Sequence, residues 1–201
     1  MANDPKIQTA THPDKYKTRN DFLHDFCAGK VCAEIGVAQG SFSAEILKHN
    51  PAKLYLIDCW QQQSQEAYPA DSANAPQNEM EANYRNVMQY LAPKPNVVVK
   101  RAFSFDAAQE FPDKFFEFIF IDAVHTLPMC LADLVAWWPK IKPGGVLTGH
   151  DLNIGQIGAP GTVNFCPALS VYAALKQFLF LIHREKLDVV TYEQDSWGIF
   201  K

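Results

Sequence analysis

Two aspartates and a histidine stand where strands are expected to end. Asp122 closes the apolar run Phe115 to Ile121, Asp151 follows Val146-Leu147, and His125 comes shortly after Asp122. Adjacent strands lie ~4.8 Å apart, so both carboxylates can point into one small volume with room for a single cation. Hard oxygen donors suit Mg²⁺, which completes its shell with water and substrate oxygens and lowers the pKa of a bound hydroxyl. An imidazole with an ordinary pKa of ~6.5 suits proton removal near neutrality, which makes His125 the candidate general base. The plainer alternative is that Asp122 and Asp151 are loop or capping residues and His125 a satisfied edge histidine.

A second constellation lies at the first strand-to-helix turn, Glu34-Ile-Gly36-Val-Ala-Gln-Gly40-Ser. Glycines there let the backbone turn tightly and approach a ligand with no Cβ in the way. Asp58 ends the second strand, placed to accept hydrogen bonds from a ribose diol. A pyrophosphate-binding turn needs the fuller G-x-G-x-x-G, and here position 38 is Ala. Glu34 would repel phosphate, whereas the α-amino cation of S-adenosylmethionine (SAM) gains from a nearby carboxylate. The turn therefore favours SAM over NAD.

These residues need a parallel sheet to bring them together. Short apolar runs bounded by turn residues alternate with helical periods, mainly in the order β-α-β-α. Strands are expected at Lys30 to Ile35, Leu54 to Ile57, Val97 to Val99, Phe115 to Ile121 and Val146 to Leu147. The fourth is too continuously apolar to be one-sided and should be central. Helices fit Thr18 to Cys27, Ser43 to Lys48, Met80 to Leu91, Pro128 to Trp138 and Ser170 to Ile182. Core stripes run along Met80, Tyr84, Val87, Met88 and Leu91, and along Leu131, Leu134, Val135 and Trp138. Val189 to Tyr192 and Trp197 to Phe200 flank a turn as an antiparallel pair. Two irregular stretches, 61–78 and 153–167, should emerge at the carboxyl edge of the sheet, where open α/β folds bind ligands, and are candidates for a lid. Trp60, Tyr68 and Tyr84, on or beside the first, read as core packing, with stacking on a planar or sugar substrate as the alternative.

Composition narrows the partners. Of 201 residues, 48% are apolar, which a single compact domain can bury. A formal charge of -4 offers no extended cationic face and weighs against nucleic acid, leaving a small molecule as the expected partner. No apolar run approaches the ~20 residues needed to span a bilayer, so a cytoplasmic location without membrane attachment is expected. Five cysteines without a C-x-x-C spacing read as free, buried thiols. A homo-oligomer is compatible with this composition.

The stretch Phe118-Ile-Phe-Ile-Asp122-Ala-Val-His125, followed by Ala132-Asp-Leu-Val-Ala-Trp-Trp-Pro-Lys-Ile-Lys-Pro143-Gly-Gly-Val-Leu-Thr-Gly-His150-Asp151, resembles the class I SAM-dependent methyltransferases. Within them it is similar to the small O-methyltransferase-like group that includes macrolide-sugar methyltransferases. The resemblance runs from about Val31 to Asp151. It implies a Rossmann-like α/β fold: a seven-stranded, mostly parallel sheet ending in an antiparallel hairpin, with helices on both faces. It further implies that Glu34, Gly36 and Gly40 hold the methionine part of SAM, that Asp58 holds the ribose hydroxyls, and that Ser104 and Phe105 meet the adenine edge and face. Metal-dependent members have a metal-binding Asp after strand four and an acidic or amide pair after strand five. Asp122, His150 and Asp151 occupy those places, and Lys142-Pro-Gly-Gly145 matches the turn into strand five. Val124 stands where some relatives carry an acid, and His150 replaces an oxygen ligand. The implied activity is methyl transfer to a hydroxyl oxygen of a small molecule. Alternatives are a metal-free enzyme acting on oxygen or nitrogen, an NAD-dependent oxidoreductase, and a SAM-binding protein without catalysis.

Overall fold

A computed structural model describes residues 15–64, 74–152, 170–191 and 195–201. The parallel strands are β1 (Val31–Ile35), β2 (Lys53–Asp58), β3 (Val97–Arg101), β4 (Phe116–Ile121) and β5 (Ile141–Gly149). β6 (Val189–Thr191) and β7 (Ser196–Phe200) follow as the antiparallel hairpin, and the sheet order is β3-β2-β1-β4-β5-β7-β6. The expected Rossmann-like, seven-stranded architecture is therefore present. Its helices are α1 (Arg19–Cys27), α2 (Ser41–Lys48), α3 (Gln77–Tyr90), α4 (Ser104–Gln109), α5 (Leu127–Trp137) and α6 (Val171–Leu181).

Alternation along the strands divides the core between the two faces. Cys32, Leu54, Leu56, Phe118, Phe120 and Val146 face the layer that holds α2 and α3. Ala33, Ile35, Ile57, Ile119, Ile121 and Leu147 face α4, α5 and α6. β4 sits between β1 and β5, and five of its six residues are buried, as its unbroken apolar run requires.

Four local expectations need correction, the first being that Met88, placed in the core stripe of α3, is exposed. β5 starts at Ile141, five residues before the expected strand, and the Lys142-Pro-Gly-Gly145 segment lies inside it as an irregularity in the β4 pairing. The bulged strand keeps its register from Phe118↔Val146 to Ile121↔Gly149, which brings Asp122 and His150 to the same rim. On α5 the buried stripe is Cys130, Asp133, Leu134 and Trp137, while Val135 is exposed. The stripe turns by one position because Asp133 faces inward, its carboxylate accepting from Ser104 Oγ at 2.5 Å. The short helix α4 has no counterpart among the expected elements.

Cys27 and Cys32 are buried and free, Cys130 is buried with its Sγ donating to the Val124 carbonyl, and Cys59 is free and half-buried. Tyr68, Cys166, the segment 153–167 and the middle of 61–78, hence the candidate lid, lie outside the described residues. Among the described residues no helix is long and apolar enough to cross a membrane.

Candidate functional site at the carboxyl edge

Parallel pairing of β2, β1, β4 and β5 ends all four strands on one rim, and the chain leaves each through a residue singled out above. β1 exits into the Gly36 turn. There φ is +85°, and a Cβ would lie 1.9 Å from the carbonyl oxygen of Asp122. Gly36 thus lets the first turn close directly onto the end of β4. Gly40, at φ +87°, caps α2, and a Cβ there would lie 2.5 Å from Leu91 Cδ1, so its bareness serves the packing of α2 against α3.

Glu34 lies at the end of β1 with 2% exposure, its carboxylate accepting a hydrogen bond from Ser43 Oγ of α2. Burial pushes its carboxyl well above the ordinary range; the Ser43 bond opposes this, while the charges of Asp122 and Asp58 add to it. Asp58 and Asp122 thus set two charges near the turn that holds Glu34, a field that favours a cationic group. Asp58 is bound to that turn. Its Oδ2 accepts from the backbone N–H groups of Val37 and Ala38, both at 2.9 Å, and its Oδ1 from Trp60 N at 2.7 Å.

Ser104 and Phe105 open α4, one strand beyond. Ser104 Oγ donates to Asp133 and accepts from Trp137 Nε1 at 2.9 Å, so its hydroxyl is committed to α5. The Phe105 ring is 55% exposed.

On the other side of the turn, Asp122, His125 and Asp151 form one cluster whose donor atoms all lie within 4.8 Å of one another. His125 Nε2 lies 3.2 Å from Asp122 Oδ1 and 3.1 Å from Asp151 Oδ2. The imidazole is buried, and it belongs to the segment between β4 and α5, with Thr126 as the N-cap of that helix. His150 stands outside the trio with Nδ1 3.2 Å from Asp151 Oδ2. Burial alone would lower the pKa of His150, but the bond to Asp151 and the charges of Asp151 and Asp122 outweigh it and the net shift is upward. Asp151 is in turn held well below the usual carboxylate range: burial works against this, and the hydrogen bonds from His125 and His150 prevail.

Two of the three donor spacings in the trio lie in the range a small cation requires. Neighbouring ligands of an octahedral ion at ~2.1 Å are separated by ~3.0 Å, close to the spacing of Nε2 from each carboxylate. Its nitrogen donor is His125, while His150, expected among the ligands, bonds to Asp151 instead.

Two features of this rim were not read from the sequence. The Thr126 hydroxyl is buried with no hydrogen-bond partner among the described residues, immediately after His125. A Thr ahead of Leu127-Pro128 signals a helix start, yet says nothing of an orphaned hydroxyl. The second is Ser43, whose bond to Glu34 joins residues distant in sequence. Next to the cluster, an apolar recess is lined by Ile121, Leu134, Val171 and Trp197, with His125 and His150 at its edge.

A family model described as a methyltransferase domain matches residues 33–152. Among solved structures, the chain is similar to a SAM-dependent methyltransferase from Aquifex aeolicus, with a TM-score of 0.57 at 16% identity over 90% of this chain and 88% of that one. It is also similar to a spermidine synthase from Thermotoga maritima, with a TM-score of 0.42 at 21% identity, covering 64% of this chain and 38% of that chain. The chain thus spans well under half of that synthase. A SAM-dependent methyltransferase from Mesorhizobium loti matches with a TM-score of 0.43 at 16% identity, over 66% of this chain and 53% of that one. The first of these is a likeness of fold. No curated protein matches the chain.

Proposed function

Since the chain belongs to the methyltransferase-domain family, whose model spans more than half of it, we propose that it transfers a methyl group from SAM to a hydroxyl oxygen of a small molecule. The observation that carries this reading is the contact between the Gly36 turn and the Asp122 carbonyl, which sets a carboxylate-ringed donor turn against the Asp122–His125–Asp151 cluster.

In this reading Glu34 attracts the ammonium of the methionine part of SAM, Asp58 receives the ribose, and the start of α4 at Ser104 and Phe105 borders the adenine. The sulfonium carbon is already electrophilic, so the protein's work is alignment and exclusion of water. His125 takes the proton of the acceptor hydroxyl. Its Nε2 lies between Asp122 and Asp151, which orient the ring.

A second version is favoured by the 3.1–3.2 Å spacing within the trio. Asp122, His125 and Asp151 would then hold a divalent ion, Mg²⁺ being the candidate, and the bound ion would supply a lower pKa for the acceptor hydroxyl. An experiment separates the versions. Transfer of labelled methyl from SAM to a panel of small hydroxyl compounds is measured after EDTA dialysis, and again on adding Mg²⁺ back. Full activity after EDTA supports His125 acting alone, and recovery only with Mg²⁺ supports the ion. Transfer to nitrogen compounds and to no hydroxyl compound would overturn the acceptor assignment.

A further inference from the structure

We infer that Trp60 is a positioning residue of the donor site, tying the Asp58 carboxylate and the first turn into one rigid unit; this rests on the SAM reading above. Trp60 is 0% exposed, yet its backbone sits at φ 44°, in the left-handed region that bulky residues avoid. Such a conformation persists only where the surroundings over-determine it, and clusters of such residues mark functional sites. Ala38, at the tip of the first turn, is also left-handed, with φ 48°. The two are joined directly, Trp60 Nε1–H donating to the Ala38 carbonyl at 2.8 Å.

Asp58 completes the unit through the bonds from Val37 and Ala38 to one oxygen and from Trp60 N to the other. A carboxylate offers roughly four acceptor positions, and three here are taken by backbone N–H groups. The remaining position is on Oδ1, the oxygen that Trp60 orients. Asp58 therefore has room for one ribose hydroxyl rather than both while the turn keeps its bonds, and Trp60 sets the direction of that one acceptor.

The far side is braced too. Arg101, opposite Asp58 in the β2–β3 register, donates from Nε to the Cys59 carbonyl at 3.3 Å and from a terminal nitrogen to the Trp60 carbonyl at 3.2 Å. Its guanidinium pairs with Glu81 and lies over the Tyr84 ring, whose centroid is 5.0 Å from that of Trp60. A Phe at position 60 could fill the same space against Tyr84. What it could not supply is the N–H that reaches Ala38.

The test is the affinity for S-adenosylhomocysteine, measured by calorimetry on the full chain, with steady-state kinetics for SAM. Trp60→Phe is expected to weaken binding about tenfold, the worth of one buried hydrogen bond, and to raise KM for SAM by a similar factor with a much smaller effect on kcat. Phe178→Leu, a core change on the buried face of α6, controls for general destabilisation and should lower Tm with affinity unchanged. Should Trp60→Phe fail to fold, Arg101→Gln, at a half-exposed side chain, is expected to weaken binding about threefold by freeing the Cys59 carbonyl and leaving the Trp60 carbonyl with Gln77 Nε2 as its donor. A folded Trp60→Phe that binds like the wild type overturns the inference. So does an equal loss of affinity in Phe178→Leu, or, where Trp60→Phe does not fold, an Arg101→Gln variant with wild-type affinity. A wild type that binds no S-adenosylhomocysteine is a distinct result and overturns the donor reading instead.

Discussion

Replacing Gly36 by alanine tests the contact on which the site is built. The added Cβ would lie 1.9 Å from the Asp122 carbonyl oxygen, 2.5 Å from its carbonyl carbon and 2.9 Å from Ala123 Cα. All three are backbone atoms, so no side-chain rotation relieves the clash. A left-handed L-residue costs ~1–2 kcal/mol, and forcing backbone apart in a packed region costs ~1–3 kcal/mol more. The sum of roughly 2–5 kcal/mol corresponds to a Tm loss of roughly 4–20 °C in a domain of this size. Gly144→Ala is the matched control, since Gly144 has φ +80° with nothing within 4 Å of its Cβ position. It carries the conformational cost alone, roughly 2–8 °C. Differential scanning calorimetry on both variants isolates the contact. Because the displaced backbone belongs to Asp122, Gly36→Ala should also weaken S-adenosylhomocysteine binding, and Gly144→Ala should not. Equal Tm losses would refute the view that the first turn closes on β4.

Three further outcomes are expected. Burial pushes the Asp133 carboxyl up to about 6 against the Ser104 bond, so its favourable contribution is complete below its ordinary pKa and is lost as pH rises through about 6. Asp133→Asn should therefore stabilise the fold by up to about 3 kcal/mol at pH 8 and by about half that at pH 5, read from urea midpoints; an equal gain at both would contradict the shift. Glu34 is buried with its carboxyl shifted upward and must be ionised to pair with an ammonium, so SAM affinity should rise with pH until Glu34 is fully ionised. In Glu34→Gln affinity should be lower and this slope absent, and a slope that survives the substitution would point to another group. His125→Ala should leave SAM affinity intact while lowering turnover by ~10²–10⁴-fold, as loss of a general base does. Full turnover in that variant across mildly acid to mildly alkaline pH would remove the base assignment.

What could be read in the sequence follows from how locally each feature is determined. The continuous apolar run of β4 and the acids closing β2 and β4 are local patterns, and they placed the rim correctly. The α5 stripe was displaced by one position because a buried acid, Asp133, was counted as polar surface; only its partner Ser104, 29 residues away, explains its burial. α4 spans Ser104–Gln109, too short for a helical period to show. In the site, the closeness of Asp122 and Asp151 follows from strand adjacency. Nothing local separates His125, which joins them, from His150, which does not. Trp60 was legible as a packed aromatic, whereas its left-handed backbone and its bond to Ala38 arise from the meeting of two loops.

The most direct measurement is titration of the purified protein with S-adenosylhomocysteine in a calorimeter, alongside Asp58→Ala. A saturable heat at one ligand per chain, lost or strongly weakened in a folded Asp58→Ala, is the predicted result. Absence of heat from a folded wild type, or undiminished binding by the variant, would contradict the assignment of this rim to an adenosyl donor.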